Sequence, residues 1–283
     1  MTAGAAIDRR ALVTGATSGI GLALAGALAG AGVGVAIVAR DPASGERARA
    51  AIAATAGSER VELFEGDLSD MASVRSLAGA VAQRQPTLDL LVHCAAVYTR
   101  QRNLTVDGLE TMFATNVLGP FLLTNLLLDR LRAAEAARVL VLSAPSTVRL
   151  DFDDLQGERR FRSLSAFGAS KAADLLFTFE LARRLEDGPV TANAVHPGLV
   201  RTDLMRQALA PLRWATRLVS APPARAAAAI LPLALSPDFH GANGRFFKGG
   251  REIEAPPYTR DPDVARRLWD ASTALTGLSE GDI

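Results

Sequence analysis

The run Ala11-Leu12-Val13-Thr14-Gly15-Ala16-Thr17-Ser18-Gly19-Ile20-Gly21, leading into the apolar stretch Leu22 to Ala31, decides how the rest of the chain reads. A short apolar strand, a glycine turn and a helix start, in that order, build a site for phosphate. Glycine lets the backbone turn sharply and come close to an anion, and the unpaired N–H groups of a first helical turn face it. A glycine pattern alone often marks only a turn. Set between a strand and a helix, it points to a phosphate-bearing ligand cradled by Gly15, Thr17, Ser18, Gly19, Ile20 and Gly21.

Outward from this stretch, strand-like and helix-like segments alternate. Gly34–Ala39 reads as a buried strand and Pro42 to about Ala56 as a helix. Val61–Phe64 is a third strand, followed by a helix carrying Met71, Val74, Leu77 and Val81 that Ser69 can cap. Leu88–Val92 is a fourth strand, ending in His93-Cys94-Ala95-Ala96. Helical segments at Asp107–Thr115 and Val117–Arg132 flank Asn116, and Arg138–Leu142 is a fifth strand. Ser165–Arg184 is a long helix, and Val190–Val195 is a strand stopped by Pro197-Gly198. Leu204–Val219 and Pro223–Leu235 read as helices, Gly244–Phe247 as a last strand, and Asp261–Leu275 as an amphipathic tail helix. Strands alternating with crossover-length helices imply an α/β fold: a doubly wound parallel sheet with helices on both faces, in one domain over 1–283.

The bulk numbers agree. With 49% hydrophobic and 5% aromatic residues, the core is aliphatic, as suits a helix-covered parallel sheet. A net charge of +1 gives no electrostatic case for nucleic acid or an anionic membrane. The one cysteine, Cys94, excludes an internal disulfide, and three scattered histidines offer no metal-ligand spacing. Ala11 to Ala39 is uncharged, but its glycines punctuate it as strand–turn–helix–turn–strand, which reads as a buried unit rather than a membrane span. Thr2 to Arg10 lacks the regions of a signal peptide, so the expected location is the cytoplasm.

Together these motifs resemble the short-chain dehydrogenase/reductase family. The resemblance rests on TGATSGIG at Thr14–Gly21, Asp67-Leu68 after the third strand, Ala95 with Ala96, and Asn116 in ATNVLGPFLLT. It continues through RVLVLS, Lys171 in a helix, and His196-Pro197-Gly198-Leu199-Val200-Arg201-Thr202. DLQGERRF, LLFTFELARRL and VARRLWDASTALTG resemble the retinol-dehydrogenase-like branch. The resemblance implies a Rossmann-type fold that binds a nicotinamide dinucleotide. It places Asp67 and Leu68 by the adenine, Ala95 and Ala96 along the dinucleotide, and Pro197, Gly198, Val200 and Thr202 by the nicotinamide, with Lys171 on the ribose. The second strand ends in Arg40 where an NAD site carries an acid, and its guanidinium can pair with the 2′-phosphate of NADP. The expected cofactor is therefore NADP(H). Asp41 could instead supply a carboxylate to the ribose.

The resemblance breaks where the chemistry is done. The family pairs a tyrosine, as proton donor or acceptor, with a lysine four residues on, one helical turn away. Here the position four residues before Lys171 is Phe167. The family's serine at the end of the fifth strand is replaced by Ala144, leaving Ser143 one residue earlier and on the opposite strand face. Lys171 and Asn116 remain. Substitute donors are Tyr98, which follows the fourth strand, and His93 if it titrates near neutrality; Ser146 and Ser165 are further hydroxyls. Lys171 itself could act as a base if desolvated.

Losing a positioned acid typically forfeits about 10²–10⁴-fold on an ordinary ketone. The reading is therefore an NADP(H)-binding enzyme acting on a hydrophobic small molecule by atypical chemistry. Reduction of an activated C=N or C=O needs no phenol, and neither does a non-redox cyclisation, isomerisation or elimination. A substrate lid is expected over 204–235 and a C-terminal helix over 261–277. Two alternatives stand beside it: a non-catalytic NADP(H) sensor or partner subunit, and an ordinary carbonyl reductase using Tyr98 or Ser143 as acid. The helices around Asn116–Arg132 and Phe167–Arg184 resemble the family's dimer faces, so a homodimer or homotetramer is expected.

Overall fold

The computed structural model describes residues 9–200 and 221–279. Its strands are β1 (Arg10–Thr14), β2 (Gly34–Ala39), β3 (Val61–Glu65), β4 (Leu90–His93), β5 (Ala137–Leu142), β6 (Val190–His196), β7 (Phe246–Lys248) and β8 (Arg251–Glu252). They form one sheet in the order β3-β2-β1-β4-β5-β6-β7-β8, parallel throughout except for the β7–β8 pair. The helices are α1 (Gly19–Gly30), α2 (Pro42–Ala56), α3 (Met71–Arg84), α4 (Thr111–Phe113), α5 (Gly119–Leu126) and α6 (Leu128–Arg132). They continue with α7 (Ser163–Arg184), α8 (Pro223–Leu235) and α9 (Pro262–Thr276). This is the Rossmann-type doubly wound α/β fold.

Side chains alternate between the two faces of the sheet. Leu12, Val38, Leu91 and Val139 join a core with residues of α3, α5, α7 and α9, while Val13, Ile37, Val92 and Leu140 join a second core with α1, α2 and α8. Burial on both faces explains why the central strands β2 and β4 read as almost unbroken apolar runs. The uncharged Ala11–Ala39 stretch resolves into β1, α1 and β2, and among the described residues no helix is long and apolar enough to cross a membrane.

After β1 the chain winds outward to β2 and β3, then returns to set β4 on the other side of β1. That reversal opens a crevice at the carboxyl ends of β1 and β4, where such sheets bind ligands.

Several expectations change. Asp70, not Ser69, caps α3: its carboxylate accepts from the N–H groups of Ala72 and Ser73, while Ser69 is spent on Asp67. Asn116 does not separate two helices; it sits inside a wide π turn, Ala114–Leu118, that joins α4 to α5. The last strand starts at Phe246 rather than Gly244, and β8 pairs with it through a turn at Gly249 and Gly250, both at positive φ.

The lid expected over 204–235 is corrected in its second half. Pro223–Leu235 is helix α8, and Ala227, Ile230 and Leu233 pack with Leu24 and Leu28 of α1 in the core, because its apolar stripe meets that of α1. Leu204–Val219 lies outside the described residues. The proposed dimer faces are covered as well. Helix α9 lies over α5 and α7, with the Trp269 ring 4.9 Å from Phe121 and 6.1 Å from Phe177. The chain buries this apolar surface against its own C-terminal helix.

Candidate active site

The crevice is a cleft of about 310 Å³, lined along one wall by Thr14, Gly15 and Thr17–Gly21, along a second by Val38–Asp41 and Ser44, and along a third by Gly66–Leu68, Cys94–Val97 and Thr115. Its floor depends on close backbone approach. Gly15 has φ +66°, and a Cβ there would lie 2.7 Å from the Ala95 Cα and N; a Cβ on Gly21 would collide with the Gly15 carbonyl. The buried Thr14 hydroxyl accepts from the Cys94 and Ala95 N–H groups at 3.2 and 3.3 Å, holding the end of β4 against the glycine turn.

The N-terminus of α1 is open. Ser18 is in N-cap position but makes no side-chain cap bond, whereas α2, α3 and α9 are each capped by an aspartate. The first N–H groups of α1 therefore point into the cleft without a protein partner. At the opposite wall, Arg40 is largely exposed, with its Nε 3.9 Å from Asp67. Asp41 lines the same wall and caps α2, its carboxylate accepting from the Ser44 N–H at 2.9 Å. Asp67 is steadied by the Ser69 N–H and hydroxyl and by its own N–H to Ser73. Thr115, overlooked in the sequence, presents a buried hydroxyl with no protein partner to this cleft.

The other group of predicted residues is closed upon itself. Lys171 is buried; its Nζ donates to Asp174 Oδ2 at 2.7 Å and to the Leu142 carbonyl at 3.3 Å, and it lies 5.7 Å from the centroid of the Phe167 ring. Asp174 was not anticipated. A carboxylate three residues after a lysine, inside the otherwise apolar run of α7, is the signal that would have found it. The Ser143 hydroxyl donates to the Lys171 carbonyl at 2.8 Å, so it fastens β5 to α7 and does not reach the cleft.

Asn116 is buried; its Oδ1 accepts from the Val97 N–H, and its Nδ2 donates to the Val97 carbonyl and to Ser170 Oγ. From its place in the π turn, Asn116 ties the loop after β4 to α7. Tyr98 packs edge-on against Phe167, with ring centroids 5.8 Å apart, and donates its hydroxyl to Ser163 Oγ at 3.0 Å. Ser146 Oγ lies against Gly168, and Ser165 is exposed on the first turn of α7. Pro197, Gly198 and Val200 follow β6 and do not line the cleft described above; Val200 bridges to Ala221. Thr202 lies outside the described residues.

His93 does not titrate near neutrality. Its Nε2 is 2.8 Å from Thr124 Oγ1, whose proton goes to the Pro120 carbonyl, so Nε2 must be the N–H donor. Nδ1 is then bare and buried, and burial pulls the imidazole pKa down to about 3. Burial likewise pushes the Cys94 thiol up to about 12, with the nearby Lys171 opposing it, so no thiolate nucleophile stands at the cleft. Asp174 is raised to about 6 by burial, against the pull of Lys171. Among the described residues no cluster of histidine, cysteine or acidic side chains could hold a metal.

Residues 9–212 match the family model for short chain dehydrogenase. Retinol dehydrogenase 14 of Mus musculus is 38% identical, over 94% of this chain and 85% of its own length. Dehydrogenase/reductase SDR family member 13 of Bos taurus is 38% identical, over 97% and 74%. Among solved structures, an uncharacterised protein from Mycobacterium paratuberculosis superposes with a TM-score of 0.74 at 32% identity, covering 95% of this chain and 93% of its own. A short chain dehydrogenase from Burkholderia cenocepacia in complex with NADP superposes at 0.68 and 28% identity, covering 85% and 94%.

Proposed function

The chain belongs to the short-chain dehydrogenase family, in its retinol-dehydrogenase-like branch, and from that premise we propose that it binds NADP(H) and transforms a hydrophobic small molecule without a phenolic proton donor. It is an oxidoreductase-family enzyme with a site for a nicotinamide cofactor. The cradle suits that group. Gly15 and Gly21 let the turn pack against the Ala95 backbone and against itself, which any Cβ would prevent, and the uncapped start of α1 supplies N–H donors for a pyrophosphate. Preference for the phosphorylated form rests on Arg40, an exposed guanidinium at the rim, while the neighbouring Asp41 carboxylate is turned to Ser44. When bound, NADP(H) supplies or accepts a hydride at its nicotinamide.

The observation that carries the atypical chemistry is Phe167. Its ring stands 5.7 Å from Lys171 Nζ and carries no hydroxyl to give or take a proton. Ala144, one residue past Ser143, offers no donor to a carbonyl oxygen. Such a site suits an acceptor that is already activated, such as an iminium carbon, or a rearrangement that needs orientation and water exclusion. Phe167, Phe161, Ala166 and Val97 pack around Tyr98, and Leu164 and Leu199 are exposed at the same edge of the sheet, which supports an apolar substrate.

A second reading keeps carbonyl chemistry, as the names of the relatives suggest, with Tyr98 as the acid. The 5.8 Å edge contact between Tyr98 and Phe167 favours it, and the bond from its hydroxyl to Ser163 weighs against it. Two measurements decide. NADPH should bind more tightly than NADH, and Arg40→Ala should cut that preference roughly tenfold, the scale of one charge-assisted contact; an unchanged ratio removes the argument from Arg40. Wild-type protein should turn over simple ketones slowly. Brisk ketone reduction that Tyr98→Phe abolishes would replace the first reading with the second.

A further inference from the structure

Lys171 Nζ has two partners, Asp174 Oδ2 at 2.7 Å and the Leu142 carbonyl at 3.3 Å, and the side chains of Lys171 and Asp174 are only 9% and 3% exposed. An ammonium this far from water needs an anion or it gives up its proton. The ring one turn earlier, Phe167, cannot supply one. Asp174 can, from the following turn of the same helix, where residues three apart share a face.

We propose that Asp174 is a positioning residue for Lys171, fixing its ammonium at the end of β5 and neutralising its charge, so that the Phe167–Lys171 turn presents no net positive charge to a substrate. The site is thereby matched to its missing phenol. A lone buried ammonium beside a phenol stabilises the phenolate; an ammonium already paired at hydrogen-bonding distance does so far less. Restoring a tyrosine at 167 would therefore not by itself restore an acidic one. The raised Asp174 titration near 6 fits a carboxylate held by one cation in a dry place.

The groups facing Nζ are few. Asp174 and Phe167 share its helix, the Leu142 carbonyl comes from β5, and the Cys94 thiol at the end of β4 stays protonated at working pH. Tyr98 reaches Phe167 from the loop after β4, with its hydroxyl on Ser163. The proposal leans on the reading of this turn as the chemical end of the cleft, but its test uses no cofactor.

The test is spectroscopic. The chain has two tyrosines, Tyr98 and Tyr258, so a difference absorbance titration of Phe167→Tyr against the parent isolates the new phenol. The new phenol should ionise at least about one pH unit lower in Phe167→Tyr/Asp174→Asn than in Phe167→Tyr alone, a tenfold change in its ionisation constant. Equal titrations in the two proteins overturn the proposal. Should Asp174→Asn not fold in that background, unfolding of Lys171→Met and of Lys171→Met/Asp174→Asn decides instead. The double variant should regain stability lost by the single one; an additive further loss would show that the two groups do not act as a pair. A phenol that shifts as expected in a protein that fails to bind NADPH would leave this proposal standing and remove the proposed cofactor.

Discussion

The cleft around Thr14–Gly21 and the Phe167–Lys171 turn, joined to its wall through Val97 and Asn116, treat their polar groups in opposite ways. Around Thr14–Gly21 polar groups are left open: the first N–H groups of α1 lack a cap, the Thr115 hydroxyl has no partner, and Arg40 stands in solvent. Around Phe167–Lys171 they are closed. Lys171 is held by Asp174, Ser143 by the Lys171 carbonyl, Asn116 by Val97 and Ser170, and Tyr98 by Ser163. Open donors at the phosphate end await an anion, since burying them unpaired would cost free energy. Closed donors at the chemical end have given up the freedom to follow a proton. On the proposed reading, the contrast separates binding from turnover: the family motif is kept for the first and altered for the second.

The largest effect should come from closing the open end. Gly21→Val drives a side chain into the Gly15 carbonyl, so the glycine turn that shapes the cradle must shift. NADPH affinity should fall by roughly two orders of magnitude, about 3 kcal/mol, in a fluorescence titration, while the melting curve shows a folded protein. Retained affinity would mean that the glycine turn is only a turn.

Opening the closed end comes next. Phe167→Tyr/Ala144→Ser adds back a phenol and a hydroxyl, and ketone reduction with NADPH should rise by about tenfold, at the bottom of or below the ~10²–10⁴-fold that a positioned acid supplies. The gain stays small because Asp174 still holds Lys171. A gain at the top of that range would break the idea that the pairing matters, and no gain with Asp174→Asn added would show that the chemical end is built for something else.

A further effect lies behind the chemical end, where α9 seals the outer faces of α5 and α7. Trp269 is 4% exposed between Phe121 and Phe177, with the Arg184 guanidinium 4.2 Å from its ring centroid. Trp269→Ala should cost about 3 kcal/mol or more in denaturant unfolding, as for other large buried aromatics. If α9 covers the faces a dimer would use, the parent should run as a monomer in light scattering. A dimer that survives Trp269→Ala would place the interface elsewhere.

What could be read from sequence follows the same division. The phosphate end was legible because its parts are contiguous: a strand, a turn and a helix start within Ala11–Gly21. The proposal of an altered chemical end also rests on contiguous sequence, since Phe167 and Ala144 are defined by their spacing from Lys171 and Ser143. Contacts decided at a distance were not legible. The apolar stripe of Pro223–Leu235 says that the helix is buried on one side but not against what, and α1 lies two hundred residues away. Trp269 meets Phe121 across the whole second half of the chain. Asp174 is the instructive miss, local in sequence yet hidden in a run that reads as core packing. Its charge needed a partner, and Lys171 was one turn away.

The smallest predicted effect tests whether burial alone silences a titratable group beside the cleft. His93 keeps Nε2–H on Thr124 and a bare Nδ1 in an apolar pocket, with its pKa lowered to about 3 from 6.5. A depressed folded-state pKa gives stability that is present above about 6.5 and is lost as pH falls toward 3, because the unfolded chain takes up the proton first. Asp174 works the other way. Its pKa is raised to about 6 from 3.8, so its contribution is present below 3.8 and fades as pH rises through 6. The two slopes oppose each other between pH 4 and 6, which flattens the parent's acid limb. His93→Asn removes only the first, and Asn can still donate to Thr124. Stability of this variant should therefore hold, or rise, on acidification through that window, and its acid-unfolding midpoint should move down by roughly one pH unit. NADPH affinity at neutral pH should stay as it was, because His93 is uncharged there and does not line the cleft. An unchanged acid midpoint would mean that the folded protein accommodates a charged His93, and that the chemical end is less tightly closed than its hydrogen bonds imply.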